Sequence, residues 1–403
     1  MVVREVAMRE VIARLAMEGG HVMTGGRTVG VAHRKESRVT RACKLLLGAG
    51  LAALLITPAV SARPVAADAP TRPAQRTVEA RIDSYLSGLV RTDAFEGSVL
   101  IARGGRILLE RGYGLANRAR NLRDTASTKY RIFDLTRQFT AMAILQLQDE
   151  GKLSVQDPFC KIIANCPTQW KSITIHELLS NSSGIVSFTQ LPGFNIARAE
   201  APESIVAMTR VKSLLFQPGT QFGYSNTDYL LLGLVVEAVS GESYATFLRT
   251  HILDPLAMKD SGLLLDGSKV SQLAKGYEQL SRSKRVDATT PWSAGGMYST
   301  VNDLYAWDRA VTADKLATRR SLREMLTPYV AVPPETEIGY GYGWLIGPLW
   351  NHHAIFHGGG SLGYESVNLI FPAVNLTVIV LSNQGGTDIG SIESAIVPLL
   401  LAK

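Results

Sequence analysis

The sequence predicts an α+β fold, in which one antiparallel sheet built from both ends of the chain is flanked by helices and a mostly helical subdomain is inserted. Strand-like segments lie before residue 134 and after residue 335, and helix-like apolar periodicity dominates between them. The chain has 403 residues, of which 46% are hydrophobic and 19% charged. Such a chain buries a large core, which excludes a disordered tail, a collagen-like repeat and a small disulfide-stapled scaffold.

The predicted sheet draws its strands from residues 77–134 and 335–403. Residues 96–102 and 106–115 alternate apolar and polar side chains on either side of Gly104 and Gly105, a pattern typical of a β-hairpin. Four more strands are predicted at residues 340–346, 354–357, 365–371 and 376–382. A final apolar helix at residues 390–401 is expected to pack on the sheet.

The inserted helical region is predicted at about residues 135–334. Its two clearest helices are residues 135–150, which Gly151 ends, and residues 228–239, which Gly241 ends. Glycine is favoured just after a helix because it adopts the left-handed backbone conformation without strain.

The first 62 residues are predicted to be an N-terminal extension with a signal peptide. Basic residues at positions 34, 35, 38, 41 and 44 precede an apolar run at 45–56, and the small residues at 60–62 suit cleavage by a signal peptidase. The run has 12 residues, fewer than the roughly 20 that span a bilayer. We therefore expect an exported protein, periplasmic or extracellular, with a Pro- and Ala-rich tether at residues 63–76. The alternative is a signal that is retained as a membrane anchor.

The basic charge of the chain lies mostly in this N-terminal segment. The whole sequence has 42 Lys and Arg against 35 Asp and Glu, a net charge of +7, whereas residues 63–403 hold 33 basic and 31 acidic residues. The predicted exported part has no basic run with interleaved aromatic residues. No nucleic-acid partner is therefore predicted, and membrane contact is expected only through a retained anchor.

Two cysteines, Cys160 and Cys166, lie in the predicted exported part. Their spacing suits a local disulfide, and an oxidising compartment permits one. The alternative is a pair of buried free thiols. Because export is predicted, we expect the disulfide.

Three sequence blocks stand out in the globular part. They read YRIFDLTRQFTA at residues 130–141, FQPGTQFGYSN at 216–226 and HGGGSLG at 357–363. In order and spacing they resemble the serine β-lactamase and penicillin-binding-protein superfamily, in its class C β-lactamase, D-Ala carboxypeptidase and esterase branch. The resemblance covers roughly residues 80–400. It implies a β-lactamase-like fold with the site in the cleft between the sheet and the helical subdomain.

The resemblance also implies roles for individual residues. In that family a Ser opens a helix and is acylated, and a Lys one turn later helps to remove its proton. Tyr224 and Asn226 match the family's proton relay and the amide that holds the substrate. His357 and Gly359 match the strand that forms the opposite side of the site, and Gly360 is expected to supply the second N–H of the oxyanion hole.

The nucleophile block departs from the family pattern. Asp134 stands at the nucleophile position and Arg137 at the lysine position, while Phe133 replaces a common Gly and Thr136 a Ser. A carboxylate with a pKa of ~4 is a weaker nucleophile toward an amide than an activated alkoxide, and its acyl product is an anhydride. Arg, with a pKa above ~12, cannot act as the general base.

Asp134 and Arg137 are three residues apart on the predicted helix, so they can pair and neutralise each other. The sequence therefore predicts that standard acyl-enzyme chemistry is absent or severely reduced. The alternative interpretation is structural, because Asp is favoured at the first position of a helix and Asp134 then simply caps its own helix.

No other serine is predicted to replace the missing nucleophile. Ser281 and Lys284 match S-x-x-K, but they lie in a charged segment that no apolar helix follows. Ser225 has only Tyr224 beside it as a base. The G-x-S-x-G pattern at residues 359–363 matches the nucleophile elbow of α/β-hydrolases, but a strand follows it where that motif requires a helix.

A metal site at His352, His353 and His357 is also not predicted, because no carboxylate stands nearby at a strong ligand spacing. We expect neither metal nor cofactor. The sequence thus predicts an exported homologue of β-lactamases and D-Ala carboxypeptidases, weakly active or inactive, with a pocket for peptidoglycan-type peptides, β-lactams or small esters. Two alternatives stay open. One is an active hydrolase or esterase that uses a non-standard nucleophile or a water activated by Asp134, Tyr224 or His357; the other is a non-catalytic partner-binding scaffold.

Overall fold

The computed structural model describes residues 77–265, 269–278, 281–284, 287, 289–332 and 337–402. The predicted N-terminal extension, signal peptide and tether, at residues 1–76, lie outside the described residues.

An eight-stranded antiparallel sheet organises the protein. Its strands are β1 (Gly97–Arg103), β2 (Arg106–Tyr113), β3 (Val330–Ala331), β4 (Gly339–Tyr340), β5 (Leu345–Leu349), β6 (His352–Ser361), β7 (Tyr364–Phe371) and β8 (Leu376–Ser382). They follow the spatial order β3-β4-β5-β6-β7-β8-β1-β2, so the hairpin from the start of the domain lies beside β8. The predicted antiparallel sheet flanked by helices is confirmed.

The sheet is covered on both faces, because alternate residues of a strand point to opposite sides. In β1, Val99 and Ile101 belong to one buried apolar cluster, which includes residues of the first and last helices. Leu100 belongs to the other cluster, which the inserted helical region fills. The helices are α1 (Val78–Arg91), α2 (Thr136–Asp149), α3 (Ile175–Leu179), α4 (Pro202–Arg210), α5 (Asn226–Ser240), α6 (Tyr244–Phe247), α7 (Trp292–Gly295), α8 (Val301–Val311), α9 (Arg319–Met325) and α10 (Ile389–Leu401).

Short strands form three small sheets outside the main one. Leu115–Asn117 pairs with Leu122–Arg123, and Tyr130–Arg131 and Gly262–Leu263 both pair with Met297–Ser299. Tyr277–Glu278 lies between Ser281–Arg282 and Gln384–Gly385. Across the described ranges, no single helix is long and apolar enough to cross a membrane; α5 and Tyr244–Leu253 meet those requirements only together, as a pair bent by 82°.

Two predicted strands of the C-terminal region are wrong in extent. Residues 340–346 form two strands, because the chain bends where Gly343 has a φ of +77° and where its backbone lies against distant segments. A Cβ on Gly341 would be 2.5 Å from the Met325 carbonyl oxygen, and one on Gly343 would be 2.9 Å from that of Arg137. The strand predicted at residues 354–357 continues to Ser361 through three glycines. It does so because the backbone lies against another segment there: a Cβ on Gly359 would be 2.6 Å from the Ile132 carbonyl oxygen.

Candidate active site

The segment that carries Asp134 and Arg137 is a 3-10 helix, Phe133–Leu135, that leads directly into α2. Helix α2 is anchored by a run of buried apolar side chains, so its start is held firmly against β6. Asp134 and Arg137 are one turn apart and face the same cleft, as the sequence predicts. The capping interpretation of Asp134 is wrong: the residue that precedes α2 is Leu135, and it makes no side-chain capping bond.

The Asp134 carboxylate is 5% exposed and meets several polar partners. The Tyr224 hydroxyl donates to its Oδ1 at 2.6 Å, and the Arg137 Nε lies 3.5 Å from the same oxygen. Burial raises the pKa of Asp134 above its ordinary value, while Arg137, the Tyr224 hydroxyl and the backbone N–H groups of Gly360 and Asp134 act to lower it. The carboxylate is therefore a compensated buried group.

The two backbone N–H groups that act on this carboxylate are those expected to form an oxyanion hole. They belong to Gly360 on β6 and to Asp134 itself. An oxyanion hole stabilises charge because its donors point at the place where a substrate oxygen becomes negative. Here the same two N–H groups lower the pKa of a carboxylate of the protein. A substrate oxygen at this position would therefore lie close to the Asp134 carboxylate.

Arg137 is 0% exposed and lies between aromatic rings. Its guanidinium carbon is 3.9 Å from the centre of the Tyr224 ring and 4.7 Å from that of Tyr229. Burial alone would lower the pKa of Arg137, but Tyr224, Tyr340 and Asp134 raise it above its ordinary value. The guanidinium consequently stays charged and cannot accept a proton from a nucleophile.

Asn226, the first residue of α5, uses its whole amide inside the protein. Its Oδ1 accepts from the Arg137 Nη2 at 2.9 Å. Its Nδ2 donates to the Ser187 Oγ at 3.1 Å and to the Thr189 Oγ1 at 3.3 Å. The group that the family resemblance assigns to substrate is thus already engaged, and Arg137 is the reason that its oxygen is engaged.

His357 lies on β6 and is completely buried. Burial and the nearby Arg137 lower the pKa of His357 to about 3, so the ring is neutral at pH 7. Its Nδ1–H donates to the Gly358 carbonyl at 2.5 Å, which leaves Nε2 to accept from the Tyr340 hydroxyl at 3.2 Å. The residue contributes a neutral hydrogen-bonded ring to this side of the site, with no positive charge.

Gly359 and Gly360 let β6 approach its neighbours closely. A Cβ on Gly359 would be 2.9 Å from the Asp134 backbone nitrogen, and one on Gly360 would be 2.3 Å from the Glu365 Oε2. Burial raises the pKa of Glu365 to about 8, with a further contribution from Asp134. A second, largely neutral acid therefore lies beside the site, next to the Gly360 N–H.

The space beside Asp134 is nearly filled. The cavity there has a volume of about 20 Å³, room for about one water molecule. Phe133 lines it and is itself buried, with its ring 6.1 Å from that of Tyr364. Phe133 has a φ of +42°, a conformation that favours glycine and strains a bulky residue. A Phe in the place of the family's common Gly thus narrows the site at the cost of backbone strain.

The three substitute serines take other structural roles. Ser225 caps α5, where its side chain accepts from the Asp228 N–H. Ser281 is exposed in the short strand Ser281–Arg282, so it does not open a helix as S-x-x-K requires. Ser361 ends β6 and is followed by β7, which contradicts the α/β-hydrolase motif.

The remaining predicted residues lie apart from the cleft centre. Cys160 and Cys166 are joined in a disulfide with their Cα atoms 5.8 Å apart. His352 and His353 lie at the far end of β6 from Gly360. Within the described ranges, no group of three or more His, Cys, Asp or Glu side chains is arranged to hold a metal ion.

Sequence reasoning missed Tyr229, Tyr340 and Asn181, which complete the surroundings of Arg137. The Asn181 Oδ1 accepts from the Arg137 Nη1 at 3.4 Å and from the Ser225 N–H at 2.9 Å. Tyr229 was within reach of a sequence argument, because it follows Asn226 by three residues on one helix and so shares its face. Tyr340 arrives from a distant strand, and no local sequence pattern indicates it.

Comparisons with known proteins agree with the fold. PbpX of Bacillus subtilis, named as a penicillin-binding protein, is 27% identical over 327 residues, which are 79% of this chain and 78% of that protein. An octameric penicillin-binding-protein homologue from Pyrococcus abyssi superposes with a TM-score of 0.69 at 28% identity, covering 79% of this chain and 77% of that one. A D-stereospecific amidohydrolase from Streptomyces gives 0.68 at 27% identity, over 78% and 98%. The predicted β-lactamase-like fold is confirmed. The Beta-lactamase family model matches residues 76–396, and the chain therefore belongs to the Beta-lactamase family.

Proposed function

We propose that the protein is an exported member of the family that does not form an acyl-enzyme. The observation that carries this proposal is the Asp134 carboxylate at the nucleophile position, which is held by Arg137, Tyr224 and two backbone N–H groups. The cleft keeps the other family residues, while an ion pair of Asp134 and Arg137 stands where the family has its reactive Ser and Lys.

Each requirement of acyl transfer meets an obstacle in this cleft. The acid at the nucleophile position is tied to a cation 3.5 Å away, and attack through it gives an unstable anhydride. The residue one turn later is an arginine, which does not act as a base near neutral pH. The two N–H groups expected to form the oxyanion hole act on the Asp134 carboxylate, whose negative charge would repel a developing oxyanion.

Ligand binding in the cleft requires movement. A β-lactam, a peptidoglycan-type peptide or a small ester needs far more room than about 20 Å³. Phe133 is the side chain that has to move, since it both lines the cavity and lies at the start of the reactive segment. We therefore expect weak binding of these compounds by the protein in its closed form.

A second candidate function is slow hydrolysis without a covalent intermediate. The specific observation is that the small cavity beside Asp134 suits one water molecule and is also lined by Asn226 and Thr189. A water held there could lose a proton to the Asp134 carboxylate. Turnover of an ester or amide without any protein adduct would support this candidate.

The test combines labelling with turnover. The purified protein is treated with a fluorescent penicillin, a chromogenic cephalosporin and a nitrophenyl ester, beside the matched variant Asp134→Asn, which keeps the shape of residue 134 but removes its charge. We expect no label on either protein. Any label on the unchanged protein would contradict the proposal, and its loss in Asp134→Asn would place the adduct on residue 134.

A gain-of-function variant tests whether the rest of the cleft is competent. The triple change Phe133→Gly, Asp134→Ser and Arg137→Lys restores the family residues, relieves the strain at residue 133 and frees the Asn226 oxygen. We expect covalent labelling of this variant. If the variant folds, as its circular dichroism and melting temperature report, and still takes no label, then the claim of a retained framework is wrong.

A further inference from the structure

A second and larger cavity lies beside the segment that follows β8. Its volume is about 410 Å³, and it shares no lining residue with the small cavity beside Asp134. It is bounded by the C-terminal end of α1, the N-terminal end of α10 and the segment that follows β8. Its lining includes Leu89, Asp93, Glu278, Gln384 and Ile392.

One buried acceptor in this cavity has no donor. Gln384 is 7% exposed, and its Nε2 donates to the Asp93 carbonyl at 2.5 Å. Its Oε1 accepts no hydrogen bond from any part of the chain that the structure describes. A buried acceptor left unpaired costs about 1–3 kcal/mol, so a ligand that donates to it gains binding free energy.

The charge of the cavity has one sign. Asp93, Glu278 and Asp388 bring carboxylates, and the described residues that line the cavity include no Lys, Arg or His. Asp388 is engaged as the cap of α10, where it accepts from the Ser391 N–H at 2.9 Å. Asp93 and Glu278 are therefore the two acids that a ligand can use. A cation with hydrogen-bond donors suits them and the Gln384 oxygen together.

The position of Glu278 is built into the backbone around it. Its Oε1 accepts from the Gly363 N–H at 2.5 Å. Its carboxylate also lies against Gly385, where a Cβ would be 2.3 Å from Oε1. The carboxylate is thus fixed at the cavity by a turn on one side and by the absence of a side chain on the other.

The rest of the lining is apolar. Leu89 and Ile392 present aliphatic side chains from α1 and α10. An aliphatic stem that packs against them loses its contact with water, which contributes about 25 cal/mol per Å². We propose that this cavity binds a primary alkylammonium group, with its nitrogen among Asp93, Glu278 and the Gln384 Oε1 and its stem against the two helices.

The probe for this proposal is n-butylammonium, measured by isothermal titration and by the melting temperature at constant ionic strength. We expect saturable binding that raises the melting temperature, whereas n-butanol of similar shape gives no effect. Glu278→Gln should weaken binding about tenfold, the factor for one lost hydrogen bond to a charged group. Asp93→Asn should also weaken it.

Two further variants keep the proposal open to failure. Glu203→Gln removes one exposed acid outside the cavity and should leave the affinity unchanged. Gly385→Ala retains every charge but displaces Glu278, and it should weaken binding as Glu278→Gln does. An equal effect of sodium or calcium ions would overturn the proposal, as would equal affinities in Glu278→Gln and Glu203→Gln.

Discussion

Two buried acids, Asp134 in the cleft and Glu393 on α10, meet opposite surroundings. Asp134 has Arg137 at 3.5 Å and a hydroxyl donor at 2.6 Å. Glu393 is 0% exposed, and neither of its carboxyl oxygens accepts a hydrogen bond from the described part of the chain. Burial raises the pKa of both, in Glu393 to about 8, with Asp388 adding to the effect. The same type of group is therefore paired with a cation at one place and kept largely neutral at the other.

The difference lies in the polar partners that the cleft provides for the Asp134 carboxylate. An apolar core tolerates an unpartnered acid only by keeping its proton, which makes stability depend on pH. The cleft instead supplies a cation, a phenol and two backbone donors to one carboxylate. Because these partners share one carboxylate, changing any one of them should alter how much the others contribute to the free energy of unfolding.

The largest effect is expected from Arg137→Met. It leaves Asp134 buried without its cation, and breaking a buried ion pair in this way costs about 3–5 kcal/mol of unfolding free energy. Urea unfolding at pH 8 measures the loss. Because protonation of Asp134 relieves the unpaired charge, we expect a smaller loss at pH 5.

The double variant Asp134→Asn with Arg137→Met is the matched control. It removes both charges, so it should be more stable than Arg137→Met alone. If the single and the double variants lose the same free energy, the two residues are not coupled and the comparison with Glu393 fails.

Glu393→Gln should change stability in the opposite direction. The folded pKa of Glu393, about 8, lies above the ordinary value of 4.5, so its contribution to stability is fully present below the unfolded pKa and is lost as the pH rises through the folded pKa. The loss is about 1.4 kcal/mol per pH unit in between. Residue 393 does not titrate in this variant, so the free energy of unfolding of the variant should exceed that of the unchanged protein by about 3 kcal/mol at pH 7.

The measurement for Glu393 is a series of urea unfolding curves from pH 5 to pH 9 for both proteins. The two should be similar at pH 5 and diverge as the pH rises. Parallel curves across this range would mean that the acid has a partner when charged, which removes the contrast with Asp134.

The smallest of the three effects is expected from Tyr224→Phe. It deletes the hydroxyl that donates to Asp134 and keeps the ring over Arg137. A hydrogen bond to a charged group contributes about 2 kcal/mol, so urea unfolding should report a loss of that size. Tyr305→Phe, a partly exposed ring outside the cleft, should change stability little. Equal losses in both variants would show that the hydroxyl does not stabilise the carboxylate.

Local patterns predicted much of the fold. The hairpin around Gly104 and Gly105 depends on neighbouring residues only, and α5 ends where Gly241 adopts a φ of +74°. The break at residues 341–343 and the passage of β6 through Gly359 depend on packing against distant segments, which a local pattern does not contain.

Local patterns likewise predict some features of the cleft but not others. The motifs predict five residues of the cleft, and the structure brings them together. These residues are Asp134, Arg137, Tyr224, Asn226 and His357. The motifs do not predict how these residues interact. The hydrogen bond from Arg137 to the Asn226 oxygen and the small size of the cavity depend on the folded structure. Glu393 was not identified either, because a helix pattern alone does not tell which of its faces is fully covered.

The most direct test of the central claim is intact-protein mass spectrometry of the unchanged protein after incubation with benzylpenicillin. We predict that the mass stays that of the free protein at all times and concentrations, because the nucleophile position holds a carboxylate that is paired with Arg137 and accepts from the Tyr224 hydroxyl. A stoichiometric mass increase equal to one penicillin, on Asp134 or any other residue, would contradict the account.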